Sequence, residues 1–134
     1  MSRKSKGINA ERDLIHKFWA VNIPSIRVAG SGSIKYPVPD VLVGTPKNKL
    51  AIECKSTKSL YQYFTFEEVK QLIEFSHLFG ATPYLGVKFN NKQWIFLKPE
   101  NTPKSNLHFI IKSDKTYKKA LIFDDLVKTL KESF

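Results

Sequence analysis

The chain is 134 residues long and carries 22 Lys and Arg against 12 Asp and Glu, a formal charge of +10. The length fits one domain over residues 1–134 with a substantial core, and the charge points to a polyanionic partner, nucleic acid first. One cysteine, Cys54, excludes an intrachain disulfide and a cysteine-based zinc site. No apolar run is long enough to span a membrane and no apolar signal region follows SRKSKG, so a cytoplasmic protein without membrane contact is expected.

Residues 2–6 read as a flexible basic arm in which Arg3, Lys4 and Lys6 are candidate phosphate contacts. The period of Ile8, Ile15, Phe18 and Trp19, with Leu14 at its edge, predicts a helix over 8–19. Glu11 falls inside that apolar stripe. A carboxylate there needs a partner, since burying a charge unpaired is costly; the candidates are Arg12 and a metal ion. PSIRV (24–28) predicts a short strand. Ala29-Gly30-Ser31-Gly32-Ser33 follows, a loop of small residues of the kind that lets a backbone move or approach a ligand closely.

The segment 40–55, DVLVGTPKNKLAIECK, predicts a β-hairpin. Two apolar runs, 41–43 and 50–52, flank a cluster of turn residues at 44–49. A turn centred between Pro46 and Lys47 sets Val41 opposite Ile52, Val43 opposite Leu50 and Asp40 opposite Glu53. Side chains alternate along a strand, so Val41, Val43, Leu50, Ile52 and Cys54 share a core face while Asp40, Glu53 and Lys55 share the other. Cys54 is thus expected as a small core residue. Facing carboxylates repel; a divalent cation between them relieves this. Mg²⁺ prefers oxygen ligands and keeps waters that a phosphate can share, which suggests metal-dependent attack on a phosphodiester.

Residues 56–63 read as polar and irregular, with Lys58 among aromatic residues as in a nucleic-acid flank or a solvated loop. Thr65 and Glu68 form a capping-box signature for a helix that stops at Gly80. Val69, Leu72, Ile73 and Ser76 make its core stripe. Phe75 and Phe79 widen that stripe, which a dimer contact or one deep core position would explain. Strands are predicted over 82–89 and 93–97, joined by Asn90-Asn91-Lys92, with Lys88 a lone charge on the solvent face or toward the site. An edge strand over 107–112 and a helix from Asp124 complete the chain.

Asp40 preceded by Pro39, then Glu53-Cys54-Lys55, resembles the PD-(D/E)xK nuclease superfamily. With Lys6-Gly7, Ala10-Glu11-Arg12, Arg27, Gly30-Ser31-Gly32, Ile73-Glu74-Phe75-Ser76, Phe79-Gly80 and Val87-Lys88-Phe89, nearly the whole chain resembles archaeal Holliday-junction resolvases of the Hjc/Hje type. The resemblance implies an α/β, restriction-endonuclease-like fold, a central mixed sheet flanked by helices. It implies a homodimer that resolves four-way DNA junctions by paired, symmetric cuts with Mg²⁺, Mn²⁺ substituting. Glu11, Asp40 and Glu53 would be metal ligands, with the Cys54 carbonyl a further one. Lys55 would orient the attacking water, and Ser31 would reach the scissile region on a loop whose Gly30 and Gly32 approach DNA. Arg12, Arg27 and Lys88 match basic positions implicated in DNA contact or catalysis, and Phe75 and Phe79 match the dimer interface. The same resemblance makes a sliding clamp or a branch-migration helicase a candidate partner. The departure from shorter relatives is the extra chain at 34–38. The rival readings are a restriction- or repair-type endonuclease on linear duplex and a non-catalytic junction-binding protein of the same fold.

Overall fold

Apolar side chains alternate along the central strands so that both faces of one sheet are buried. The computed structural model describes residues 3–132, with the backbone alone at 3–5 and 32. The side chains of Arg3 and Lys4 and the surroundings of Gly32, all expected DNA contacts, lie outside what is described. In chain order the elements are α1 (Arg3–Ala20), β1 (Ser25–Arg27), β2 (Val41–Gly44), β3 (Lys49–Thr57), β4 (Tyr61–Thr65), α2 (Phe66–Phe79), β5 (Thr82–Phe89), β6 (Trp94–Leu97), β7 (His108–Lys112) and α3 (Phe123–Lys131). Among the described residues no helix is long and apolar enough to cross a membrane.

The main sheet runs β1-β2-β3-β5-β6. Its one parallel pair is β3 with β5 and the other pairs are antiparallel, which makes the mixed, helix-flanked sheet expected from the sequence. The hairpin register is also as expected, with Val41 opposite Ile52 and Val43 opposite Leu50. One face packs Val41, Val43, Leu50 and Ile52 against Leu14 and Phe18 of α1 and Leu126 and Leu130 of α3. The other packs Ala51, Leu85, Val87 and Leu97 against Val69 and Leu72 of α2 and against β4 and β7. Each fully buried Leu or Phe contributes about 1.5–3 kcal/mol, so the helices are held by these faces more than by intrinsic propensity.

Helix α1 begins at Arg3, ahead of the expected start, so the backbone of residues 3–6 is part of its first turn. Its buried stripe is centred on Leu14 and Phe18, spaced i and i+4. Trp19 is 53% exposed because its indole N–H donates to the Ser25 carbonyl at 2.9 Å and keeps the ring at the rim. Helix α2 starts and stops as the sequence predicts. Thr65 and Glu68 form the reciprocal cap, and Gly80 closes it at φ +83, a conformation that favours glycine. Its core stripe is Val69, Leu72 and Ser76; Ile73 is 46% exposed and leaves the stripe.

The segment read as irregular is in fact ordered. β3 runs on to Thr57, and Tyr61–Thr65 is a strand paired antiparallel with β7 in a second, two-stranded sheet. The strand expected over 107–112 therefore edges this small sheet and not the main one. This small sheet supplies Phe64, Phe109 and Ile111 to the core beside α2.

Candidate active site

Asp40 sits where the hairpin ladder ends. Its amide still donates to the Ile52 carbonyl at 3.2 Å, but its side chain turns across the end of β3. There the Cys54 amide donates to Oδ2 at 2.8 Å, and the Ser31 hydroxyl donates to Oδ1. Gly30, at φ +68, starts the short turn Ser31–Ser33 that presents this hydroxyl. Both carboxylate oxygens are thus fixed by chain elements on either side, the serine loop and β3.

Two further carboxylates flank Asp40. Glu53 lies on β3, close enough to Asp40 to feel its charge. Burial, then the negative charges of Asp40 and Glu68, push Glu53 up to about 9, with Lys55 acting in the opposite direction. Glu11 approaches from α1. Burial, then Asp40, push it up to about 7, against the pull of Arg27. The Arg27 guanidinium lies 3.6 Å from Glu11, so the protein partner of Glu11 is Arg27 from β1 and not Arg12, which is exposed on α1. Among the described residues no three of His, Cys, Asp and Glu are gathered closely enough to hold one ion. Glu11 is paired with Arg27.

Glu11, Asp40 and Glu53 are all hard oxygen donors, and they suit a cation of the Mg²⁺ class. Cys54 packs against the core, and burial pushes its thiol well above the ordinary range, so its side chain is no nucleophile. Lys55 points to the opposite side from Cys54. Its Nζ lies 3.0 Å from Glu68 Oε2 at the start of α2.

Beyond Lys55 opens a groove of ≈ 1500 Å³ between α1 and the β5–β6 turn. Lys6, Lys17, Lys55, Lys58, Lys88 and Lys92 line it against a single acid, Asp13. Such a concentration of one sign is what a phosphate backbone requires. Of the expected DNA contacts, Lys6, Lys58 and Lys88 lie here; Arg12, Arg27, Gly30 and Ser31 do not. Lys17 and Lys92 were not expected, because only the folding of α1 against the β5–β6 turn brings them together. Glu68 was legible as a cap but not as a neighbour of Lys55. Phe75 and Phe79 stack with centroids 5.0 Å apart near the far end of α2, and Phe79 is 49% exposed.

The family model described as archaeal Holliday junction resolvase (hjc) matches residues 2–134. A crossover junction endodeoxyribonuclease Hjc of Archaeoglobus fulgidus is 40% identical over 81% of this chain and 79% of its own length. A crossover junction endodeoxyribonuclease Hje of Saccharolobus islandicus is 30% identical over 95% of this chain and 90% of its own. Among solved structures, that of Archaeoglobus fulgidus Hjc superposes with a TM-score of 0.83 at 34% identity, covering 91% of this chain and 98% of that one.

Proposed function

The chain belongs to the archaeal Holliday junction resolvases of the Hjc/Hje family and is a crossover junction endodeoxyribonuclease, and from that premise we propose how its residues cut DNA. Asp40 and Glu53 would hold a divalent cation, Mg²⁺ with Mn²⁺ able to replace it, with Glu11 reaching it through water and the Cys54 carbonyl as a further ligand. An ion bound there supplies a water of lowered pKa and charge compensation for the phosphate. Asp40 is held in place for this by Ser31 and the Cys54 amide. Lys55 stands beside the ligand pair as a cation that orients the attacking water and offsets charge on the phosphate. The observation that carries the reading is Asp40 pinned by Ser31 and the Cys54 amide, with Glu53 and Lys55 two residues apart on β3.

The lysine groove accounts for substrate binding. Contacts to phosphates fix position without reading bases, so cutting is selected by the shape of the DNA and depends little on sequence. Arg12, Arg27 and the Gly30–Ser31 loop contact DNA on the other side of Asp40. A second copy of the chain meets the exposed apolar side of α2 around Phe75 and Phe79. A two-fold dimer of this kind presents two sites to two strands of a four-way junction, and the cuts are paired and symmetric.

The test uses a labelled four-way junction and linear duplexes of the same arm sequence, with Mg²⁺ or with EDTA. Paired cuts in the junction alone, and only with Mg²⁺, are expected. Cutting of the duplex at a similar rate would instead support the restriction- or repair-type reading. Binding without cutting would leave a junction-binding protein.

A further inference from the structure

Glu68 uses its two carboxylate oxygens for two different tasks. Oε1 accepts from the Thr65 amide at 2.8 Å and closes the cap of α2. Oε2 lies 3.0 Å from Lys55 Nζ. On its other side the Lys55 ammonium lies over the Phe64 ring, 5.5 Å from the centroid. The lysine is therefore confined between a carboxylate of α2 and an aromatic face of β4, at the wall of the lysine groove.

The consequence follows from strand geometry. Glu53 and Lys55 are two residues apart on one strand and face the same way. A lysine free of other partners would close on Glu53, and each would then neutralise the other. We infer that Glu68 is a positioning residue for DNA cutting: by holding Lys55 from α2 it keeps the amine off Glu53, so that both stay available. The inference rests on the nuclease reading above. Because Glu68 also caps α2, it ties the cutting strand to the helix whose far end carries Phe75 and Phe79.

Two substitutions separate the tasks. Glu68→Gln retains an oxygen for the Thr65 amide but has no charge to offer Lys55. Thr65→Ala removes the hydroxyl half of the cap and leaves the Lys55 pair. Three readouts are needed: thermal midpoint, junction affinity in EDTA, and single-turnover cutting with Mg²⁺ at saturating protein. Losing one charge-assisted contact predicts cutting about tenfold slower for Glu68→Gln, with junction affinity within about twofold of the unaltered chain because the other five lysines of the groove are untouched. Thr65→Ala should melt earlier yet cut at the unaltered rate once saturated. Full-speed cutting by Glu68→Gln, or equal slowing by Thr65→Ala, would overturn the inference.

A measurement on the unaltered, metal-free chain covers the case in which Glu68→Gln does not fold. The ¹⁵Nζ resonance of Lys55 should stand apart from that of exposed Lys58, and coincidence of the two would also overturn it. An unaltered chain that cuts no junction overturns the nuclease reading and this inference together. A cutting wild type beside an equally active Glu68→Gln protein overturns the inference alone.

Discussion

The Ser31 hydroxyl donates to Asp40 Oδ1 while the Cys54 amide takes Oδ2, so the serine loop and β3 together aim one carboxylate. A hydrogen bond to a charged group contributes about 1.5–3 kcal/mol. Ser31→Ala should therefore slow single-turnover cutting by about tenfold or more, with junction affinity little changed. A Ser31→Ala protein that cuts at the unaltered rate would show that the hydroxyl does not orient Asp40 for cutting.

Stability should respond to pH in an unusual direction. Glu53 and Glu11 are raised from the ordinary carboxylate value of 4.5 to about 9 and about 7. Between 4.5 and 9 the folded chain therefore holds more protons than the unfolded chain. The metal-free protein should lose stability as pH rises through that window, since stability falls with pH wherever the folded state binds more protons. Thermal midpoints in EDTA at pH 5.5 and 8.5 check this. Glu53→Gln should flatten the decline, and an equal decline in both proteins would place its source elsewhere.

Gly86 lies on β5 beneath the face covered by α1 and α3. A Cβ there would stand 3.1 Å from Ile52 Cγ2 and equally close to the Phe96 ring. Both neighbours belong to the fully buried core and have little room to move. Overpacking of this kind costs about 1–3 kcal/mol, so Gly86→Ala should lower the unfolding free energy by that amount and move the denaturant midpoint down with it. An unchanged midpoint would mean that the core at Ile52 and Phe96 yields easily.

Phe75 and Phe79 are the test of the second copy. Replacing both by alanine should convert a dimer to a monomer in sedimentation while leaving the monomer folded, because the buried stripe of α2 is formed by Val69, Leu72 and Ser76. A dimer that persists would move the contact to another surface.

The hairpin was legible because alternation and turn chemistry act locally: Val41 and Val43 meet Ile52 and Leu50 across a turn whose residues are adjacent in sequence. The cap and stop of α2 were legible for the same reason. β4 was not. Tyr61–Thr65 has one buried residue, Phe64, and its partner strand β7 lies far along the chain. Nor could periodicity show that Leu14 belongs at the centre of the α1 stripe and Trp19 at its rim, since a hydrogen bond to Ser25 decides it. At the site, Glu11 was flagged by a charge in an apolar stripe. Its pairing with Arg27, and that of Lys55 with Glu68, join different elements and have no local signal.

Asp40→Asn tests the central assignment most directly. The amide keeps the size of the side chain but removes the charge between Glu11 and Glu53. Ion-assisted chemistry supplies several kcal/mol, so cutting of a four-way junction should fall by about a thousandfold or more. Junction affinity should stay within about threefold, because the lysines that line the groove are unaltered. Asp40→Asn protein that still cuts junctions at a rate comparable to the unaltered chain would contradict the placement of the metal site at Asp40.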